Sequence, residues 1–164
     1  MKYNVALLEA DIRDELENLK QLSMEYGSIE KLMNLSDEEV TFSDKAAAGY
    51  FLHNFYNGCE NIFGMIARFF ENDLGPQSWH RDLLKRMKLE IPGYRPRLID
   101  EETFRILNEF RAFRHVFRHC YSFQLEWERE KIVASKYPAV WKSFNRQVED
   151  FLEILQTIIP DSTT

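Results

Sequence analysis

Cysteine is scarce in this chain: Cys59 and Cys120 are the only two in 164 residues, they lie far apart, and no C-x-x-C pair exists. A disulfide framework and a cysteine-built zinc site are therefore excluded, and reduced thiols are expected. Long apolar runs are also missing. Nothing approaches the roughly twenty residues of a membrane-spanning helix, and the opening MKYNVALLEADIRDELENLK turns acidic at once, unlike a secretory signal. No membrane partner is expected, and the expected location is the cytoplasm. A basic surplus is absent too, since the formal net charge is −6. That argues against indiscriminate coating of nucleic acid, which relies on neutralising many phosphates at once.

Several catalytic signatures are lacking. There is no P-loop, no glycine-rich dinucleotide turn and no G-x-S-x-G elbow, so phosphotransferase, dehydrogenase and esterase readings have no footing. No HExxH occurs, and none of the four histidines follows a glutamate by three positions, the spacing that helical di-iron sites use. His115 and His119 stand one helical turn apart and could share a metal, but a third ligand is missing from the pattern. No metal and no cofactor are expected. Strand-period alternation and internal repeats are absent as well, which leaves helices.

What is present is helical periodicity. The length, with 45% apolar and 29% charged residues, suits one domain spanning residues 1–164. Val5, Leu8, Ile12, Leu16, Leu19, Leu22, Tyr26, Ile29 and Leu32 recur at threes and fours, predicting one long acidic helix from residue 3 to about 34, interrupted only by Gly27. The polar stretch 34–44 reads as a connector, with Ser36 or Ser43 to cap the next helix, so residues 1–44 form an acidic N-terminal element. Residues 45–72 carry Tyr50, Phe51, Phe55, Cys59, Ile62, Phe63, Ile66, Phe69 and Phe70 and predict the central core helix. Its polar exceptions, His53, Asn54, Glu60 and Asn61, are read as surface, though any of them could orient a functional side chain facing it.

After a turn at 72–78, with Ser78 as cap, WHRDLLKRMKL predicts a short helix with Leu83, Leu84 and Met87 inward. EIPGYRPR cannot continue it and reads as an ordered loop. Asp100 then caps a helix with Ile99 and Phe104 at staple positions and Glu101 and Glu102 in its first turn. Residues 122–125 break the chain before a short run WEREKIVASK. Pro138 opens the last helix, whose stripe is Val140, Trp141, Phe144, Val148, Phe151, Leu152 and Leu155, and residues 160–164 form a frayed tail. The expected fold is an all-α, up-and-down bundle of four main helices plus one or two short ones.

Titratable groups concentrate in RAFRHVFRHCY, residues 111–121, at the far end of the helix that Asp100 opens. Arg114 and His119 stand five positions apart, with His115 directly after the arginine and Tyr121 two beyond the second histidine. A guanidinium is a permanent two-pronged phosphate ligand, and imidazole is the proton carrier with a pKa nearest neutrality. Together they are what 2′-hydroxyl attack on an RNA phosphodiester needs. On a straight helix five residues advance roughly 140°, so Arg114 and His119 do not share one face. They can cooperate only if the helix ends or bends near His119, or if a second copy supplies the missing partner. The plainer reading is that these side chains cap carbonyls or pair with carboxylates.

Between Trp79 and His119 ten Lys or Arg stand against six Asp or Glu, a cationic zone on an acidic body. In the prolyl loop, Tyr94, Arg95 and Arg97 combine a stacking ring with two cations, the vocabulary of single-stranded RNA contact, and Arg111, ahead of the signature, and Arg118, directly before His119, are further candidate contacts. A solvated, arginine-decorated loop is the plainer alternative.

Arg114, four spacers, His119, one spacer and Tyr121 resemble the signature of the HepT-like ribonuclease toxins, a branch of the HEPN superfamily. The runs ENIFGMIARFFENDLGPQSWHRDLL and FRAFRHVFRHCYSFQLEW are similar to a HepT-like subgroup, so the resemblance covers roughly residues 45–155. It implies a helical bundle acting as a metal-independent endoribonuclease. Arg114 would polarise the phosphate, His119 would act as acid or base, His115 would assist, and a homodimer would form a composite active site. It also implies a nucleotidyltransferase antitoxin that silences the toxin by attaching AMP to Tyr121. The chain departs from the commonest pattern in carrying His115 where asparagine is usual, in its acidic N-terminal helix and in its prolyl loop, and mRNA and tRNA both remain open as substrates. Two rivals stand beside this reading: a non-catalytic helical binding subunit that partners a nucleotidyltransferase, and a purely structural dimeric bundle.

Overall fold

The computed structural model describes residues 4–71, 79–121 and 124–158; at 79–81 and 158 only the backbone is described. Seven helices are seen among these residues: α1 Val5–Ser23, α2 Tyr26–Leu32, α3 Phe42–Phe70, α4 Trp79–Met87, α5 Glu101–His119, α6 Trp127–Ser135 and α7 Tyr137–Ile158. No strand is assigned in the described residues; one isolated antiparallel bridge joins Ile91 and Arg95.

The four long helices form an up-and-down bundle whose directions follow from pairs of contacts. Arg13 meets Glu149 while Glu9 meets Gln156, so α1 and α7 are antiparallel. The Asn61 amide donates to Glu15, and a Cβ on Gly58 would meet Leu19, so α1 and α3 are antiparallel. Gln147 binds Asp100 and Thr103 while Lys136, just ahead of α7, reaches Glu109, so α5 and α7 also run oppositely. Diagonal α3 and α7 run in parallel, with Phe55 against Trp141 and Phe63 against Phe144. The core is aromatic at its centre, where Phe51, Phe55, Tyr26 and Tyr137 meet at ring separations of 4.8–5.7 Å.

The expected N-terminal helix is in fact two. It breaks at Met24–Glu25, and Gly27 lies inside α2. The break turns Tyr26 inward, where its ring packs on Phe51 and Tyr137 and its hydroxyl donates to the Ala134 carbonyl at 3.0 Å. A continuous helix would forfeit that contact. This split is why three short helices accompany the four long ones. The core helix begins at Phe42, three residues before its expected start, because Thr41 caps it: the Thr41 hydroxyl accepts from the Asp44 amide, and the Asp44 carboxylate accepts from the Thr41 amide, both at 3.1 Å. Neither Ser36 nor Ser43 is the cap. The expected turn at 72–78 with its Ser78 cap, and the tail at 160–164, lie outside the described residues.

The Asp100 cap, the inward face of α4 and the place of Pro138 are as expected. Asp100 caps α5 by accepting from the Thr103 amide at 2.8 Å. Burial pushes its carboxyl up, but the Thr103 amide, Gln147 and the nearby Arg97 charge outweigh that and hold it below the usual range. Leu83, Leu84 and Met87 are buried, and Pro138 is the second residue of α7. No helix among the described residues is long and apolar enough to cross a membrane.

Candidate active site

α5 runs unbroken through the signature and stops at His119, where Cys120 leaves the helix in an extended conformation (φ −117°, ψ 156°). Two neighbouring i, i+4 ridges of this last stretch, Arg114–Arg118 and Arg111–His115–His119, flank a cleft of about 290 Å³ lined by all five side chains. Among the described residues its lining carries no carboxylate. The rings of His115 and His119 lie 4.6 Å apart and tilted by 55°. Arg111 Nε donates to the Asn108 side-chain carbonyl at 2.9 Å. Arg114 and His119, about 140° apart around the axis, therefore reach one opening, the arginine by its length and the histidine by its place in the final turn.

Arg114 is held from behind by α3. Its Nη1 donates to Glu60 Oε2 at 2.8 Å, and both side chains are about nine-tenths buried. Its guanidinium carbon lies 5.8 Å from the centre of the Tyr56 ring. Burial first, and then Glu60, push the Tyr56 phenol above its usual range. His53 sits beside this cluster with its ring 5.4 Å from that of Phe117, and the Asn57 amide approaches its Nε2 at 2.9 Å. Burial, reinforced by the charges of Arg114 and Arg118, lowers the His53 pKa and so favours its neutral form.

Glu60 is thus not a surface residue. The sequence carried a signal for it, because a carboxylate one turn after buried Tyr56, directly after buried Cys59 and two positions before buried Ile62, needs a cationic partner. Only the folded chain shows which cation answers.

Tyr121 follows the helix end with its side chain turned outward, 71% exposed. Its backbone amide donates to the Gln124 side chain and its carbonyl accepts from the Gln124 amide, at 2.9 and 2.8 Å.

The prolyl loop does not join this site. Arg95 is a correction, since its guanidinium is fully buried and braces the fold. It donates to Glu71 at 2.7 and 3.1 Å and to the carbonyls of Arg86, Leu89 and Pro96. Burial alone would raise the Glu71 carboxyl, but Arg86 and Arg95 bring it below its usual range. The loop closes as a small hairpin turn in which Gly93 takes φ 74°, a conformation that favours glycine. Tyr94 is half exposed, with its ring edge-on to Phe70. Arg97 is exposed beside Asp100 and Arg146 in a separate recess. Fourteen residues of helix, roughly 20 Å, separate the Asp100 cap from Arg114. Arg95, enclosed in the fold, is withdrawn as an RNA contact.

Among the described residues no three His, Cys, Asp or Glu side chains converge as a metal-binding group. Cys59 is buried, Cys120 half-buried, and both are free thiols.

An antiparallel four-helix bundle with an arginine-histidine cleft at the end of one helix defines the class, an all-α protein of HEPN type. The model of the family described as HepT-like protein matches residues 47–155, and the chain belongs to that family. No curated protein and no solved structure matches it.

Proposed function

We propose that this protein is the toxin of a HEPN-type toxin–antitoxin pair and a metal-independent endoribonuclease acting on single-stranded RNA. The observation that carries the reading is the shared cleft: Arg114, His119, His115, Arg111 and Arg118 line one opening without a carboxylate among them. Three guanidiniums there attract a phosphodiester, and Arg114 stabilises the charge that builds on phosphorus. A histidine removes the 2′-hydroxyl proton, the 2′-oxygen attacks the adjacent phosphorus, and the 5′-oxygen leaves with a proton. The products are a 2′,3′-cyclic phosphate and a 5′-hydroxyl. His119 takes one of these proton transfers. A second copy, docked so that two clefts merge, supplies the other, and this homodimer is the working unit. RNA contacts extend from Arg111 and Arg118, with Tyr94 and Arg97 as more distant contacts.

The partner is a nucleotidyltransferase antitoxin, and Tyr121 is the residue it modifies with AMP. The exposed ring two positions beyond His119 supports that reading. An added phosphate there would block the cleft and repel RNA.

The test is cleavage of single-stranded RNA by purified protein in EDTA, leaving 2′,3′-cyclic phosphate or 3′-phosphate ends, with His119→Ala inactive. The rival reading, a non-catalytic subunit that binds a nucleotidyltransferase, draws on the Arg114–Glu60 ion pair, which partly neutralises the key guanidinium. It is the reading that survives if wild type and His119→Ala are equally inert on RNA yet bind the antitoxin equally.

A further inference from the structure

Glu60 sits midway along α3, whereas the five side chains lining the cleft are all on α5, and it is only 9% exposed. It stands between two openings. On one side it lines a recess between α1 and α3 with Glu15, Asn61, Met65 and Arg68. On the other its Oε2 grips Arg114, which lines the arginine-histidine cleft. The guanidinium therefore has a carboxylate on its Nη1 edge and the Tyr56 ring near its carbon at 5.8 Å.

A free arginine side chain loses considerable rotamer entropy when it binds phosphate, and a planar fork already anchored at one edge loses less. The anchor also carries a cost, because a carboxylate next to a phosphate-binding group weakens the attraction for RNA. An acid in that position is explicable if orientation outweighs charge. We propose that Glu60 is the positioning residue of the cleft: it sets the direction in which Arg114 presents its guanidinium to the phosphate. This rests on the reading of Arg114 as the phosphate ligand.

Two conservative variants separate orientation from charge. Glu60→Gln keeps the length and an acceptor oxygen but removes the charge. Glu60→Asp keeps the charge but withdraws the oxygen by about one carbon–carbon bond. Three readings are taken on the full-length protein: kcat and KM on single-stranded RNA, binding of the same oligonucleotide with 2′-deoxyribose, which cannot react, and the ¹⁵N NMR signals of the Arg114 side chain.

The expected result is that Glu60→Asp lowers kcat about tenfold or more with little change in KM and averages the Arg114 signals. Glu60→Gln should keep most of kcat, bind the deoxy-oligonucleotide a few-fold more tightly, and leave the Arg114 signals close to wild type. In an Arg114→Lys background neither change should alter kcat further. The proposal is overturned if Glu60→Asp matches wild type in kcat and in the Arg114 signals, or if Glu60→Gln is the more damaging change, which would make charge the operative property. Failure of the broader reading looks different. If wild type cleaves no RNA, the nuclease proposal falls, while the NMR signals and deoxy-oligonucleotide binding still decide whether Glu60 orients Arg114.

Discussion

His115 and His119 meet one turn apart at the end of α5, ring centroid to ring centroid at 4.6 Å. Their geometries differ. His119 occupies the final helical residue beside the chain's exit, whereas His115 lies one turn back, next to Arg114. Loss of a general acid or base typically costs 10²–10⁴ in rate. His119→Ala is expected to fall in that range, and His115→Ala by about tenfold, with the protein still folded in both. Equal losses in the two variants would mean that the histidines act as one unit and that the assignment of roles is wrong.

Tyr121 tests the link to the antitoxin. Tyr121→Phe should keep ribonuclease activity within a few-fold of wild type, because the phenol is 71% exposed and lies outside the cleft lining. The same variant should escape neutralisation on co-expression with the cognate nucleotidyltransferase. Intact-mass measurement should show wild type gaining one or more AMP units and the variant none. A variant still silenced, with no added mass on wild type, would place neutralisation in binding alone.

The bundle and the site were legible to different depths, for physical reasons. Apolar periodicity gave the four long helices because burial repeats every three to four residues whatever the packing partners are. The Asp100 cap was legible since capping is local in sequence. The break at Met24–Glu25 was not, because it arises from Tyr26 reaching Phe51, Tyr137 and Ala134 on three other helices. The arginine-histidine cluster was legible as a motif on one helix. The pairing of Glu60 with Arg114, 54 positions away, was not, and neither was the burial of Arg95, whose exposed reading came from loop composition alone.

Arg95 supplies the matching stability prediction. Its guanidinium is fully buried and ties Glu71, at the end of α3, to the carbonyls of Arg86, Leu89 and Pro96. Removing one partner of such a pair leaves a poorly compensated charge and costs about 3–5 kcal/mol. Arg95→Ala should lower the urea midpoint accordingly, whereas Arg97→Ala, at an exposed position, should stay within about 0.5 kcal/mol. An Arg95→Ala protein of unchanged stability but weakened RNA binding would return this arginine to the RNA-contacting set.

Close approach of α1 and α3 makes a second stability prediction. Replacing a mid-helix glycine by alanine normally stabilises by roughly 0.5–1 kcal/mol. At Gly58, however, the new Cβ would lie 2.4 Å from Leu19 Cδ2, and Leu19 is buried with little room to move. Overpacking of this kind costs about 1–3 kcal/mol, so Gly58→Ala should destabilise, and pairing it with Leu19→Val should recover part of the loss. Thermal melts of the three proteins would decide, and a stabilised single variant would mean that the helices separate at little cost.

Glu130, on α6, provides a pH prediction whose sign is opposite to that of a salt-bridged acid. Its side chain is fully buried against α3 near Gly49, and among the described residues neither carboxyl oxygen makes a normal hydrogen bond. Burial pushes its pKa up to about 8, against the pull of Lys45 and the Gly49 backbone amide. The unfolded chain gives up this proton near its ordinary value of 4.5, while the folded chain keeps it until about 8. Over that window the folded state binds more protons, so stability falls as pH rises and levels off above about 8. The total is of the order of a few kcal/mol, and Glu130→Gln, which cannot ionise, should remove it. Urea midpoints at a series of pH values from 5 to 9 should therefore show the variant gaining on wild type with each step and the gap becoming constant at the top. A gap that does not change with pH would mean that Glu130 is ionised in the folded protein, with Lys45 as its true partner.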